Sequence, residues 1–316
     1  MQAYTEKIRE RAQKLMEEGK VDVFIGYRKG SVPMMNRPVL IRRPEEAEVL
    51  WWDSHCALNL ANYVTKRAER IGLVATGCNS RSLVTHIVEN QVKREQIYVL
   101  GIPCTGMVDH RSVLKAVDGK EILEVKEGGG SFTVTGRDFE KTFPMRDFLQ
   151  ENCRVCTHRN PVLFDEMVAD PVEEQDGLSP YRDVADVEGM SADEKWARFS
   201  GMISSCIRCY ACRNACPLCY CPTCFVDESR PQWVGKSLDP TDTMTFHLLR
   251  AYHCAGRCTD CGACERVCPV GIPVRQFTKK LNKDAFDLFS WEAGLSLTER
   301  PPLDAYRPDD YNDFIR

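Results

Sequence analysis

The sequence C-x-x-C-x-x-C-x-x-x-C-P occurs twice, at residues 206–217 and 258–269, and constrains this chain more than any other feature. Each run crowds three thiols into one tight loop and adds a fourth just before a proline. A structural zinc site usually draws on two separated C-x-x-C pairs, so this spacing argues against a single zinc ion. An iron-sulfur cube offers each iron one outward coordination position, and three closely spaced thiolates of one loop can fill three of the four. In two-cluster arrangements the cysteine before proline serves the other cube. That rule predicts one [4Fe-4S] cluster on Cys206, Cys209, Cys212 and Cys268, and a second on Cys258, Cys261, Cys264 and Cys216. Such a pair carries single electrons.

Seventeen cysteines among 316 residues would suggest a disulfide framework in a secreted chain. The first residues, MQAYTEKIRERAQK, are charged and lack the apolar segment of a signal peptide. No stretch approaches 18 apolar residues, so no transmembrane span is expected. A reducing, cytoplasmic setting follows, in which clustered thiols bind metals instead of pairing. The net charge of −4 argues against a nucleic-acid partner, whose phosphates need a basic surface.

Residues 5–18 place Ile8, Ala12, Leu15 and Met16 on one helical face, and a strand follows at 21–27. Ile71–Ala75, an amphipathic helix at 83–92 capped by Ser80, and a strand at 96–102 read as a βαβ unit with parallel strands. Segments 121–126 and 131–135 flank Gly128, Gly129 and Gly130 and predict a β-hairpin; no helix follows, so these glycines are no phosphate loop. Residues 169–190 are acidic and poor in apolar side chains, the pattern of an exposed linker. Ser191 and Glu194 form a capping box for a helix bearing Trp196, Phe199, Met202 and Ile203. A second helix, capped by Thr243 and carrying Phe246, Leu249 and Tyr252, leads into the second run, and a third begins at 274–281. The reading is an α/β domain with a partly parallel sheet (1–168), an acidic linker (169–190), a mainly α-helical dicluster ferredoxin domain (191–298) and a tail (299–316). Asp304, Asp309, Asp310 and Asp313 alternate there with Tyr306, Tyr311 and Phe314, a docking tail or simple disorder.

Five further cysteines lie in the first domain. Cys78 and Cys104 each follow the carboxyl end of a strand, the edge at which open parallel sheets bind ligands, and the Cys153-x-x-Cys156 pair can close that crevice. A third cluster is expected there, with Cys56 and Cys78 competing for the remaining place. The one left over is a small core residue. Cys219, Cys221 and Cys224 follow Cys216 closely; they either complete a fourth cluster with Cys56 or Cys78 or are redox-inert thiols, and Cys254 has no run of its own. His55 and His158 stand beside cysteines, where they either hydrogen-bond to a cluster or pack as ordinary histidines. Walker, dinucleotide G-x-G-x-x-G, H-E-x-x-H and G-x-S-x-G motifs are absent.

The long interval between the two runs, with its intervening helix, resembles the α-helical ferredoxin domain of succinate dehydrogenase iron-sulfur subunits and of the C subunit of heterodisulfide reductase. Residues 70–165, through Gly77 and its helix, the Gly101-Ile-Pro-Cys104 turn, the Gly128 hairpin and the Asn152-Cys153-Arg-Val-Cys156 pair, resemble the beta-subunit family of coenzyme F420-reducing hydrogenases and formate dehydrogenases. That resemblance implies Cys104, Cys153 and Cys156 as ligands of a cluster beside FAD. It points to Gly77, Ser80 and Arg81 as residues contacting the flavin or its substrate. Two features depart from the family: the cysteine between the turn and the C-x-x-C pair is missing, and the acidic segment replaces a glycine-rich strand expected to shape the flavin pocket. The region 206–224 also resembles proteins of heterodisulfide-reductase-like assemblies. The leading expectation is an electron-transfer subunit of a multi-subunit redox complex with formate dehydrogenase, hydrogenase or heterodisulfide-reductase-like partners. The alternatives are a subunit that oxidises a deazaflavin or nicotinamide coenzyme on its own FAD, and a structural or redox-sensing iron-sulfur scaffold.

Overall fold

A computed structural model describes residues 2–302. The chain opens with α1 (Gln2–Glu17), which buries Ile8, Ala12 and Leu15 on one face as their spacing requires. Strands β1 (Val23–Arg28), β2 (Arg37–Ile41) and β3 (Ile71–Ala75) follow, then α2 (Gly77–Val88) and β4 (Ile97–Gly101). Next come α3 (His110–Ala116), the strands β5 (Glu124–Gly128), β6 (Ser131–Thr135) and β7 (Glu140–Pro144), the single turn α4 (Glu151–Arg154) and β8 (Glu166–Met167). The remainder is helical: α5 (Arg182–Glu188), α6 (Ala192–Ser204), α7 (Ala211–Asn214), α8 (Pro240–His253), α9 (Ala263–Arg266) and α10 (Arg275–Phe289). The expected fold class, a partly parallel α/β region joined to a mainly helical one, is what the chain adopts.

The main sheet has the order β2-β1-β3-β4-β8. Only β2 runs antiparallel to its neighbour; β1, β3, β4 and β8 are parallel. All five residues of β3 are buried, so its apolar run reads as a strand covered on both faces. The register pairs Ile71 with Ile97 and Ala75 with Gly101. The carboxyl ends of β3 and β4 are therefore level, and residues just past them share one edge. The hairpin around Gly129 and Gly130 forms as predicted, with both glycines at positive φ. A third strand, β7, completes that small sheet, and the sequence pattern did not point to it.

Several local expectations are corrected. Ser80 does not cap α2: Thr76 precedes the helix, and the buried Ser80 hydroxyl donates to the Gly77 carbonyl from within the first turn. Thr243 is a buried residue inside α8, which starts earlier because Asp239 accepts from the Thr241 amide and Pro240 fits the first helical position. The Ser191 and Glu194 capping box forms as read. The acidic stretch 169–190 is not an exposed thread. Glu174 accepts from the backbone amides of Arg159 and Asn160, the latter at 3.0 Å, and Gln175 donates to the carbonyls of Cys153 and Cys156. Asp183 pairs with Arg275 and Lys279, and Glu188 with Lys280 and Lys283. Residues 303–316, with most of the expected docking tail, lie outside the described residues.

The helical region packs along one face of α2. The Cys78 carbonyl accepts from Thr259, Ser82 bonds the Thr259 hydroxyl at 2.9 Å, His86 meets the Pro217 carbonyl at 2.8 Å and Glu89 pairs with Arg257. These residues recur at helical spacing, so the polar face of α2 is buried at a contact instead of lying in water. Ser82 and His86 are fully buried there.

Candidate metal centres at the sheet edge and in the two cysteine runs

The two runs fold as near copies. In the first, Arg208 and Tyr210 have positive φ and α7 follows; in the second, Asp260 and Gly262 have positive φ at the matching places and α9 follows. Three of these four residues are not glycine, so the loops hold conformations that cost energy, as loops shaped for a ligand often do. The left-handed kinks turn backbone amides inward. The Arg208 amide donates to Cys206 Sγ at 3.4 Å, and the Asp260 amide to Cys258 Sγ at the same distance. The Ile272 amide donates to Cys268 Sγ at 3.3 Å. Such donors favour a thiolate over a thiol.

One depression is lined by Cys206, Cys209, Cys212 and Cys268, with Phe246, His247, Ile272 and Val274 as apolar and aromatic walls. This is the first predicted set, crossing included. His247 Nε2 lies 3.3 Å from Cys206 Sγ, and burial lowers the pKa of that histidine to about 4, so its neutral ring can donate one hydrogen bond. Among the second set, Cys216 sits close enough for its charge to raise the pKa of both Cys258 and Cys264. Burial is the main cause for both, pushing Cys258 to about 12.

Cys216 has two further thiol neighbours. The sulfurs of Cys216, Cys219 and Cys254 lie within 4.8 Å of one another. The Cys219 and Cys254 thiols donate to Cys216 and hold it well below the usual thiol range. The structure thus gives Cys254, which no run accounts for, a place beside Cys216. It separates Cys219 from its companions: Cys221 is exposed, and Cys224 lies against Arg213 and the hydrophobic cluster of Val226 and Phe246. The expected fourth set of Cys219, Cys221 and Cys224 with Cys56 or Cys78 is not assembled among the described residues.

At the sheet edge, Cys78 occupies the first turn of α2 directly after β3, and Cys104 follows β4. Both line a cavity of about 80 Å³ together with Cys153 and Cys156. Burial pushes Cys104 up to about 12 and Cys156 to about 11, and in each case Cys78 adds to the shift. Cys153 is likewise raised, by burial and then by Cys104. Cys104, Cys153 and Cys156 each feel the charge of Cys78, whereas Cys56 responds to Asp53 and Glu127. Its sulfur lies 3.4 Å from Asn36 Nδ2 and 3.7 Å from the Trp51 carbonyl, so although Cys56 borders the cavity its thiol is engaged in the core. Four thiols of this domain line the cavity beside Asp260 and Glu292, and that many thiols in one place is a donor set suited to iron and sulfide. The Met107 amide adds a donor to Cys153 Sγ at 3.4 Å.

The residues expected at a flavin are engaged in holding this edge together. A Cβ on Gly77 would meet the His158 carbonyl oxygen at 2.0 Å, so glycine permits the close approach of α2 to the segment that follows Cys156. Ser80 accepts from the Val162 amide, while Arg81 donates to the Ala293 carbonyl and pairs with Glu292 at 2.9 Å. His158 Nδ1 lies 3.3 Å from Arg81. The buried His55 neighbours Glu127 at 3.4 Å. Cys258 and Cys261 of the second run line the same cavity as Cys78, and the charge of Cys78 reaches Cys261. Sequence reasoning missed His247 and Arg250 and left Cys254 unassigned; their spacing along one face of α8 and its C-cap, beside the buried Phe246, is the signal that could have found them.

Residues 68–180 match the C-terminal family of the coenzyme F420 hydrogenase/dehydrogenase beta subunit, and residues 202–272 match the 4Fe-4S dicluster domain. The chain is 22% identical to the F420-dependent formate dehydrogenase subunit beta of Methanocaldococcus jannaschii, covering 92% of this chain and 91% of that protein. It is also 22% identical to the F420-dependent formate dehydrogenase 1 subunit beta of Methanococcus maripaludis, over 91% of this chain and 90% of the other. Among solved structures, the F420-reducing [NiFe] hydrogenase complex of Methanosarcina barkeri has a chain that is 16% identical with a TM-score of 0.35, covering 50% of this chain and 59% of that one. The resemblance read from the Cys104 turn, the Cys153 pair and the two runs is borne out. No helix among the described residues is long and apolar enough to cross a membrane.

Proposed function

We propose, for a chain that joins a hydrogenase and formate dehydrogenase beta-subunit domain to a [4Fe-4S] dicluster domain, that it is the iron-sulfur electron-transfer subunit of an oxidoreductase complex. The single observation carrying this reading is the contiguity of three thiol sets. Cys78, Cys104, Cys153 and Cys156 share a cavity with Cys258 and Cys261, and Cys216 links that run to the one containing Cys212. When bound, a [4Fe-4S] cluster accepts and releases one electron. The protein's part is to supply thiolates, to aim the amides of Arg208, Asp260, Ile272 and Met107 at sulfur, and to exclude water with Phe246, Val274 and the α2 contact. The electron path runs from the sheet edge through the second run to the first, where the exposed Cys209 approaches the surface.

The thiols Cys78, Cys104, Cys153 and Cys156 lining the sheet-edge cavity favour a cluster over a flavin there. We infer partners of the formate dehydrogenase, hydrogenase or heterodisulfide-reductase-like kind, from the activities of the relatives and the runs' likeness. The test is chemical: anaerobically reconstituted full-length protein should hold about twelve irons in three sets of four, with absorbance near 400 nm that dithionite bleaches. Fewer than about eight irons overturns the dicluster reading, and flavin released on denaturation restores the alternative of a coenzyme site on this chain.

A further inference from the structure

Arg250 is 5% exposed, on the inward face of α8 between the two cysteine runs. Its Nη2 donates to the Cys212 carbonyl at 3.1 Å, and its Nε is buried without a hydrogen-bond partner among the described residues. No carboxylate among the described residues lies within ion-pair distance of it. Arg275, buried to 2% exposure, shows the usual solution, with Asp183, Asp260 and Glu265 around it. A buried cation without a partner costs several kcal/mol, on the order of the penalty for one uncompensated ion, so something anionic must face Arg250. The groups that face it are thiols. Nη2 reaches the Cys212 carbonyl, Cys254 lies one helical turn past Arg250 with its sulfur within 4.8 Å of Cys216, and the charges of Cys216 and Cys264 reach the guanidinium. Cys212 belongs to the first set; Cys216 and Cys264 belong to the second.

We propose that Arg250 is the shared counter-cation of the two cluster sites, a positioning residue whose fixed charge raises the reduction potential of both. The inference rests on the dicluster reading above. A cube with four cysteinate ligands carries net negative charge, and one-electron reduction adds another negative charge with no proton required. A fixed guanidinium in a low-dielectric setting stabilises that added charge at both sites. The Cys78 set does not include Arg250 among its neighbours, so its potential should not move.

The test is a redox titration of the reconstituted full-length protein, followed by electron paramagnetic resonance, on the wild type and the Arg250→Gln, Arg250→Met and Arg250→Lys variants. Iron content tests the dicluster reading separately from the potentials. In loaded Arg250→Gln or Arg250→Met protein, the reduced-to-oxidised ratio of both C-terminal clusters at fixed ambient potential should fall at least about tenfold, 59 mV for a one-electron couple. Arg250→Lys should recover most of the difference, and the sheet-edge cluster should be unmoved. Unchanged potentials in loaded neutral variants overturn the proposal. If both neutral variants fail to load iron while Arg250→Lys loads it, the charge requirement stands; if Arg250→Lys fails as they do, the residue acts through shape and the proposal falls.

Discussion

The two cysteine runs and the sheet edge gather thiols in opposite ways. In each run a short loop with left-handed kinks and one helical turn brings three cysteines together, and the same kinks recur at Arg208 and Tyr210 and at Asp260 and Gly262. At the sheet edge, Cys78, Cys104 and the Cys153 and Cys156 pair come from separate segments, and nothing local brings those segments together. The level ends of β3 and β4, the close approach permitted by Gly77 and the Gln175 bridge to the Cys153 and Cys156 carbonyls do so. A site made by a loop depends on that loop; a site made by a sheet depends on the whole domain.

The sharpest way to break this comparison is to remove one thiol from the sheet edge. Cys78→Ser should lose one complete cluster's iron while the C-terminal resonance signals persist, whereas Cys56→Ser should keep full iron; equal losses would return Cys56 to the ligand set. Gly77→Ala should behave like Cys78→Ser in the same iron assay, since its Cβ would strike the His158 carbonyl. Next in size is Arg275→Met, which leaves Glu265 without its cation and Asp183 and Asp260 with Lys279 alone. Breaking a buried pair in this way costs about 3–5 kcal/mol, measurable by denaturant unfolding, and tests whether the acidic segment is part of the folded unit.

A smaller effect separates the hairpin contact from the runs. Burial raises Glu127 to about 7, well above an ordinary carboxyl, beside Ser54 and His55. Its folded-state pKa is raised, so its contribution to stability is fully present below about 4.5 and is lost as pH rises through about 7. Glu127→Gln should therefore be more stable than the wild type at pH 8, by up to about 3 kcal/mol, and nearly equal to it at pH 4.5. His55, 3.4 Å away, is lowered to about 4 by burial and titrates in the opposite sense. The smallest expected effect is local: Ser191→Ala should remove the α6 cap and cost about 1 kcal/mol, without altering iron content.

Much of this was legible in the chain. The strand Ile71–Ala75, the helix face of Ile8, Ala12 and Leu15, the Gly129 hairpin and the Ser191 cap all follow from short-range periodicity and capping chemistry. The crossed membership of Cys216 and Cys268 was read from spacing alone; in the structure Cys268 lines one depression with Cys206, Cys209 and Cys212, and Cys216 packs with Cys258. The choice of Cys78 over Cys56 could not be read that way, because Cys56 precedes a helical turn and Cys78 sits in one, and neither position says which thiols it meets. Only the neighbours differ: three thiols for Cys78, Asp53 and Asn36 for Cys56.

The charged segment 169–190 was misread as a linker for a related reason. Acidic composition reports a preference for water or for cations, and the sequence around it does not say which cation will arrive. Arg275, Lys279 and Lys283 come from a helix almost a hundred residues downstream. Covalent spacing thus determined three of the four thiols of each run's set by itself, since ligands within one loop need only the loop's own dihedrals, while the crossing of Cys216 and Cys268 needs the two runs packed together. The sheet-edge site, the burial of the α2 polar face and the isolation of Arg250 among thiols required tertiary structure, because each depends on which distant group excludes water from a polar side chain and what charge it brings.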